Sequence, residues 1–258
     1  MAITSVDHFI FKKLKDSGLI PPRPSVLELG EAEWYGDVST ETLSEEIDNH
    51  VSDQRLREEL HQKMVDTLCA DSRSKGWDLA KIFFKVFLDY EKLIAIDLHG
   101  TPDAKQINLN YPVDLGEQFD IVMNNGTGEH VFNVFQFFRS THEFTRPGGL
   151  MLHVMPFRGW LEHGFYSFNP TFFWDLAAAN DYGMRILAYT ELMPPKVIQL
   201  KRREKIIELA GNGTLGANAN LYAVMQKNAV ESEFKIPMQG VYGDGVSEQM
   251  LKAWHDLR

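Results

Sequence analysis

The sequence predicts an α/β protein with a doubly wound, mostly parallel seven-stranded sheet, an antiparallel edge strand and a helical insertion after the first strand. Short apolar runs that are typical of buried strands alternate along the chain with longer segments that are typical of helices. The last two predicted strands, residues 184–191 and 221–227, are joined by a hairpin-like excursion, which indicates an antiparallel edge.

The other predicted strands are short apolar runs bounded by polar residues, glycine or proline. They cover residues 26–30, 93–97, 106–110, 119–124 and 150–156, and the run at 106–110 is the weakest. The predicted helices cover residues 1–15, 40–70, 77–88, 129–145 and 170–180. An Arg-Pro-Gly-Gly turn is predicted at residues 146–149. This order of elements predicts one domain over residues 1–258.

The first two predicted strands are unusually far apart. In nucleotide-binding βαβ units an acidic residue follows the glycine loop by about 20 positions, whereas Gly30 and Asp97 are separated by a much longer segment. The extra residues, 38–75, are predicted to form a helical insertion. The insertion is interpreted either as a lid over the carboxyl edge of the sheet or as a surface decoration that only extends the core.

Composition limits the partners and the location of the protein. The chain has 258 residues and a formal net charge of −10, which argues against a general nucleic-acid binder. Its single cysteine, Cys69, excludes an intrachain disulfide and favours a reducing cytoplasm. No signal pattern or membrane-length apolar run is present, so no membrane partner is expected. A homodimer is left open.

Polar residues lie where the predicted strands end. Ligands of open α/β sheets bind outside the carboxyl ends of the strands. Asp97, after the second strand, is well placed to accept the two hydroxyls of an adenosine ribose. The alternative interpretation is a turn or helix-cap aspartate, because Gly100 follows closely.

Four segments together resemble class I S-adenosylmethionine (SAM)-dependent methyltransferases, over roughly residues 26–227. The segments are VLELG at the first strand, IAIDLHG around Asp97, FDIVMNNGTGEHVFN at 119–133 and RPGGLMLHVMP at 146–156. The resemblance implies SAM as cofactor and methyl transfer to O or N of a small-molecule acceptor. It also implies a cofactor cleft between the strand ending at Gly30 and the strand ending at Asn124.

The resemblance implies a cofactor role for seven residues. Glu28 and Gly30 would border the methionine part of SAM, and Asn124 would lie by its amino group through the backbone carbonyl. Asp97 would bind the ribose and Leu98 would cover the adenine. The complete implied set is Glu28, Gly30, Asp97, Leu98 and Asn124, with Asn108 and Leu109 beside the adenine amine.

The first motif departs from the family pattern. After Gly30 the chain has Glu31, Ala32 and Glu33 where further small residues are expected. A pyrophosphate would meet two acidic residues there instead of a glycine-rich nest, which argues against a dinucleotide cofactor such as NAD. SAM carries no phosphate and its sulfonium is positive, so an acidic loop is less damaging to SAM. The departure leaves one alternative open, a non-catalytic SAM-fold binding module.

Three histidines are candidate general bases for the methyl acceptor. His163, in an aromatic loop after the fifth strand, is predicted to lie nearest the acceptor, with His130 as its rival after the fourth strand. Tyr166 and the other loop aromatics would hold a flat or partly apolar substrate. His153, inside an apolar strand, is predicted to be a core histidine.

A metal site is not predicted. Glu129, His130 and His163 are metal-ligand residue types, but the adjacent pair cannot put both side chains on one face of a helix. No cysteine pair or His-x₃-His spacing indicates zinc.

Overall fold

The computed structural model describes residues 2–243 and 246–256. Its strands are β1 Ala2–Ile3, β2 Ser25–Leu29, β3 Glu33–Trp34, β4 Lys92–Ile96, β5 Phe119–Asn125, β6 Thr145–Arg158, β7 Gly183–Leu192, β8 Pro195–Gln199 and β9 Ala219–Gln226. Its helices are α1 Ser5–Asp16, α2 Thr40–His50, α3 Gln54–Cys69, α4 Lys75–Leu88, α5 Val134–Phe144, α6 Pro170–Ala179, α7 Lys205–Gly211 and α8 Glu248–Asp256. Within this described part, no helix has both the length and the apolar character needed to cross a membrane.

The predicted fold class is confirmed. Seven strands form one sheet in the order β4–β2–β5–β6–β9–β7–β8, and β1 pairs in parallel with β3 in a separate two-stranded sheet. The chain divides into two compact units, residues 1–107 and 108–258.

In the first unit, β2 and β4 pair in parallel, so both strands end at the same edge. The apolar face of α4 supplies the main core of this unit. Phe83 and Phe84 lie 5.4 and 5.6 Å from the ring of Phe11 in α1, between ring centroids. A capping box between Thr4 and Asp7 begins α1.

Residues 38–75 are mostly helical, as predicted, because they contain α2 and α3. Buried Glu46 in α2 accepts hydrogen bonds from His8 (2.9 Å) and Lys12 (3.1 Å) in α1. Burial alone would raise the pKa of Glu46, but these two partners outweigh it and hold that pKa below its ordinary value. The insertion is therefore anchored to α1, and its role as a lid stays a prediction.

In the second unit, β6 pairs in parallel with β5 and antiparallel with β9. Strand β7 is antiparallel to β9, and β8 is antiparallel to β7 at the edge of the sheet. The two strands predicted to form the antiparallel edge are β7 and β9, and they do pair antiparallel, but the edge position is taken by β8, a strand that the sequence analysis did not identify. Strand β9 is a second reversed strand, inserted between β6 and β7.

The predicted third strand at residues 106–110 is wrong. The Asn108 side chain accepts hydrogen bonds from the backbone N–H (3.0 Å) and the side-chain amide (2.9 Å) of Asn110, which folds this segment into a turn. Only an isolated bridge between Ile96 and Lys105 precedes it. The side chain of Asn108 therefore competes with a sheet ladder.

The predicted helix at residues 129–145 is shorter than expected. Gly128–His130 is a separate 3₁₀ turn, and α5 begins only after Asn133, whose side chain accepts from Gln136 N at 3.2 Å. The Arg-Pro-Gly-Gly segment lies inside β6 as an irregularity in its pairing with β5, with Gly148 at φ +78°.

Candidate functional site

In the first unit, a glycine shapes the turn that follows β2. Gly30 has φ +91° and donates its N–H to Ile96 O at 2.6 Å. A residue with a side chain would be strained at this φ, whereas glycine adopts it freely. The turn brings the next residues over the end of β4.

Asp97 follows β4 directly and joins two loops. Its Oδ2 accepts from Glu31 N at 2.9 Å and its Oδ1 accepts from His99 N at 2.8 Å. The turn interpretation of this residue is therefore correct for its own loop. A carboxylate has about four acceptor positions, and half-buried Asp97 uses two of them here, so it retains acceptor capacity for a ligand.

Glu31 is a buried tie between loops rather than an exposed acid. Its carboxylate accepts from Thr101 N (2.6 Å) and Thr101 Oγ1 (2.9 Å) and forms an ion pair with Lys81 Nζ (2.9 Å). A Cβ on Gly100 would lie 2.7 Å from Glu31 Oε2. The residue that replaces a small one in the first motif therefore rigidifies the loop at 97–101.

Glu28, in β2, is a buried carboxyl that is half satisfied. Its Oε1 accepts from Ala32 N at 3.1 Å, whereas its Oε2 has no hydrogen-bond partner among the described residues. Burial, opposed in part by the Ala32 hydrogen bond, raises the pKa of Glu28 to about 8. One oxygen of this carboxyl is thus free for a cationic group.

The other predicted cofactor residues differ in exposure. Leu98 is half exposed, Leu109 is buried, and Asn108 is exposed in its turn. In the second unit, buried Asn124 accepts from Thr127 N (2.9 Å) and Gly128 N (3.1 Å) through Oδ1. Its side chain therefore builds the turn after β5.

The last residue of β5 is a buried amide with unused polar atoms. Asn125 is 7% exposed, and neither its Oδ1 nor its Nδ2 has a hydrogen-bond partner among the described residues. Buried polar groups are normally satisfied. An unsatisfied amide at a carboxyl strand end is therefore a candidate ligand contact.

Beyond this turn, the second unit brings together Glu129, His130 and His163. Glu129 Oε1 lies 3.5 Å from His163 Nε2 and 3.9 Å from His130 Nε2. The two imidazole rings are 4.9 Å apart between centroids. The two predicted candidate bases thus share one buried carboxylate, which the sequence analysis did not assign to the chemistry.

The loop that carries His163 is held tightly against Glu129. Phe165 N donates to Glu129 O at 2.8 Å, and a Cβ on Gly164 would come within 3.0 Å of Glu129 Cγ and O. Trp160 and Glu162 adopt φ +54° and +58°, a left-handed conformation that is uncommon outside glycine. Such backbone strain clusters at functional sites.

Burial controls the electrostatics of this cluster. Glu129 is 1% exposed, and burial raises its pKa to about 7. Burial, and then the nearby charge of His163, lower the pKa of His130. The side chains of His130 and His163 are 46% and 42% exposed, so the cluster has a buried carboxylate and an accessible imidazole side.

The observed backbone lets adjacent Glu129 and His130 point to a common position, which an α-helix would not allow. Because Gly128–His130 is a 3₁₀ turn and not part of an α-helix, adjacent Glu129 and His130 both reach His163, and one ligand atom from each lies within 4.8 Å of the others. An acidic residue directly after a buried strand and a glycine turn was the sequence signal for Glu129.

The aromatic loop also borders a cavity of about 680 Å³ in the second unit. Tyr166 lines it and donates its hydroxyl to Phe132 O at 2.8 Å, so this hydroxyl has a structural role. The other lining residues are largely apolar and include Phe157, Phe168, Phe172, Ile207 and Trp254. His153 is fully buried, and burial lowers its pKa to about 3, which confirms it as a core histidine.

No protein-family model and no curated protein matches this chain. Similar solved structures include 1,6-didemethyltoxoflavin-N1-methyltransferase of Burkholderia thailandensis with bound 1,6-didemethyltoxoflavin and S-adenosylhomocysteine (SAH), at 12% identity and TM-score 0.45, covering 85% of this chain and 77% of that one. StiE O-MT residues 961–1257 are 10% identical with a TM-score of 0.38, and the match covers 88% of this chain and 76% of that one. The glycopeptide N-methyltransferase MtfA with SAH is 9% identical with a TM-score of 0.29, and the match covers 84% of this chain and 89% of that one. With identities and TM-scores this low, the likeness carries no argument about activity.

Proposed function

We propose that this protein is a SAM-dependent methyltransferase that transfers a methyl group to O or N of a small-molecule acceptor. The observation that carries the proposal is the pair of carboxyl groups, Glu28 and Asp97, at the ends of neighbouring parallel strands in the first unit. Both retain acceptor capacity, and ligands of open α/β sheets bind at this edge.

The residues fit the two polar parts of SAM. The unpartnered, buried Oε2 of Glu28 suits the ammonium group of the methionine part, because a buried carboxyl is satisfied best by a cation that also donates hydrogen bonds. The remaining acceptor positions of Asp97 suit the ribose hydroxyls. SAM has no phosphate, so the absence of a glycine nest and the presence of Glu31 are compatible with it.

The residues that we propose to serve the methyl acceptor lie in the second unit. SAM provides a methyl group on a positive sulfonium sulfur, and the protein must align the nucleophile and exclude water. His163 and His130 face solvent beside Glu129, and the aromatic cavity suits a partly apolar acceptor. In this proposal His163 is the residue nearest the acceptor, His130 is its rival, and Tyr166 holds the substrate.

A non-catalytic SAM-binding module is the second candidate. The observation that favours it is the first motif: Glu31, which is held by Thr101 and Lys81 from other segments, occupies the loop that is glycine-rich in the family pattern. Both candidates bind the cofactor, and only the first transfers a methyl group. Neither candidate needs a nucleic-acid or membrane partner, and the homodimer and the cytoplasmic location remain predictions.

The test is the melting temperature of the purified protein with SAH. At a ligand concentration 100 times Kd, one site stabilises the folded state by about 2.7 kcal/mol, which raises the melting temperature of a protein of this size by roughly 5–10 °C. Asp97→Ala should abolish the increase. Asp103→Ala, at an exposed aspartate of the same loop, is the matched control and should keep it.

Two results would contradict the assignment. The absence of an increase in the unmodified protein would refute cofactor binding, and an undiminished increase in Asp97→Ala would remove this residue from the ribose site. Incubation with methyl-labelled SAM and a small-molecule extract, followed by mass spectrometry, then separates the two candidates. Labelled product supports the enzyme, and binding without product supports the module.

A further inference from the structure

We propose that Glu129, His130 and His163 form a binding site for a divalent transition-metal ion of the zinc class. Each residue contributes one ligand atom, and all three atoms lie within 4.8 Å of one another. Bonds from zinc to His N and to carboxylate O are about 2.0–2.2 Å, so neighbouring ligands of a tetrahedral site are roughly 3.3–3.6 Å apart. The distances of 3.5 and 3.9 Å from Glu129 Oε1 to His163 and His130 are close to this separation.

The buried carboxyl group of Glu129 points independently to a cation. Glu129 is 1% exposed, and its Oε2 has no hydrogen-bond partner among the described residues. A carboxylate that is removed from water without a partner destabilises the folded state. A bound divalent ion would remove this penalty, because buried charges are normally paired or coordinate metals.

The ligand types select the class of metal. Two imidazoles and one carboxylate favour zinc, iron, cobalt or nickel over Mg²⁺ and Ca²⁺, which prefer ligand sets made of oxygen. Three protein ligands also leave at least one coordination position open, as in catalytic rather than structural zinc sites. The exposed fractions of His130 and His163 show that this open side faces solvent.

The backbone holds the three ligands in place without the ion. The Asn124 side chain fixes the turn that carries Glu129 and His130. The hydrogen bond from Phe165 N and the close approach of Gly164 fix the loop that carries His163. The ligands are therefore preorganised, so little ordering has to accompany metal binding.

The metal site changes the role that the proposed function gives to His163. A nitrogen that coordinates a metal cannot accept a proton at the same time, so coordination through Nε2 and proton transfer through Nε2 exclude each other. The next step rests on the proposed function: an oxygen atom of the methyl acceptor would occupy the open coordination position of the ion. Binding of the ion itself does not depend on methyl transfer.

The test uses full-length protein stripped with a chelator and then titrated with Zn²⁺ by calorimetry and with Co²⁺ by visible absorption. We expect one ion per chain and a Co²⁺ spectrum typical of four or five ligands. Loss of an outer-shell partner alone weakens metal binding by roughly 10–100-fold, so His130→Ala and His163→Ala should each weaken it by at least about 100-fold. Both side chains are partly exposed, so these variants should fold.

A matched control is His61→Ala. His61 Nε2 lies 2.9 Å from Asp48 Oδ1 in a pair outside the cluster, and the variant should bind zinc as the unmodified protein does. Glu129→Gln should lose the ion while it keeps the shape of the side chain. Zinc affinity in the unmodified protein no higher than in the His130→Ala/His163→Ala double variant would overturn the proposal. SAH binding to the stripped protein tests the proposed function separately.

Discussion

Two buried glutamates of this protein, Glu31 and Glu129, have nearly the same exposure but opposite surroundings. Glu31 is 3% exposed, and its two oxygens accept from Thr101 and pair with Lys81. Glu129 is 1% exposed, its Oε2 has no partner among the described residues, and its Oε1 lies near two imidazoles. The first carboxylate is fully used in holding a loop, and the second is available.

The difference separates a structural acid from a functional one. A buried carboxylate with three partners has its charge and its lone pairs compensated, so removing it destabilises the folded state by leaving those partners unpaired. A buried carboxylate without them destabilises the fold, and such a group is retained where a ligand completes it. Exposure alone would have placed both residues in the same class.

The largest expected effect is the loss of stability in Glu31→Gln. The amide keeps the size of the side chain but leaves Lys81 without its counter-ion and presents an NH₂ group to donors. Breaking a buried pair typically costs 3–5 kcal/mol, and because Lys81 is 21% exposed we expect about 3 kcal/mol. Urea unfolding measures this change. The exposed Glu33→Gln is the control and should differ from the unmodified protein by less than about 0.5 kcal/mol. An equally small change in Glu31→Gln would show that the contacts of Glu31 with Thr101 and Lys81 are not needed for stability.

For Glu28, which has a hydrogen-bond partner at only one carboxyl oxygen, we expect an intermediate effect on stability that depends on pH. Its pKa is about 8 in the folded protein, against an ordinary value of 4.5. The folded state therefore keeps a proton that the unfolded chain releases, and this contribution to stability is complete below pH 4.5 and is lost as the pH rises towards 8. Between about pH 5 and 7 the free energy of unfolding should fall by up to about 2.7 kcal/mol relative to Glu28→Gln. If the free energy of unfolding changed with pH in the same way in the unmodified protein and in Glu28→Gln, burial would not raise the pKa of Glu28.

The smallest expected effect is in Glu129→Gln, and its sign is opposite to that of Glu31→Gln. In protein stripped of metal, and at about pH 8, where the Glu129 carboxyl with its pKa of about 7 is ionised, the neutral amide removes an uncompensated buried carboxylate, so the free energy of unfolding should rise by about 1 kcal/mol. The same urea titration, in the presence of a chelator, measures it. Destabilisation comparable to that of Glu31→Gln would mean that Glu129 is also a structural acid.

The sequence was sufficient for elements whose burial is continuous along the chain. Strands β2, β4 and β5 were predicted close to their observed bounds, because each is a short apolar run, and Asp97 was correctly placed at the end of β4. Strand β6 was predicted only in part, because it also contains the Arg-Pro-Gly-Gly segment that was predicted to be a turn. Elements whose bounds depend on side-chain hydrogen bonds were not predicted correctly. The turn at Asn108 and the break before α5 at Asn133 both arise from an asparagine side chain that binds nearby backbone.

The site was only half predictable for the same reason. His130 and His163 were identified as candidates by residue type and by their position after strands. Their meeting at Glu129 depends on contacts between residues that are distant in the sequence, such as the hydrogen bond from Phe165 N to Glu129 O. Likewise, the pairing of Glu31 with Lys81 and Thr101 requires the fold and no local pattern predicts it.

The tight approach of Gly164 to Glu129 has a consequence for recognising other chains with this cluster. Since a Cβ at position 164 would lie 3.0 Å from the Glu129 carbonyl oxygen, a side chain there would require Glu129 or the loop to move by a few tenths of an ångström. A chain that builds the same arrangement needs a Glu-His pair after one strand and a His-Gly pair after the next. These two dipeptides form a fingerprint that can be searched for even where overall identity is too low to align, and a glycine after the second histidine would keep the close approach of the two loops when the cluster is engineered into another scaffold.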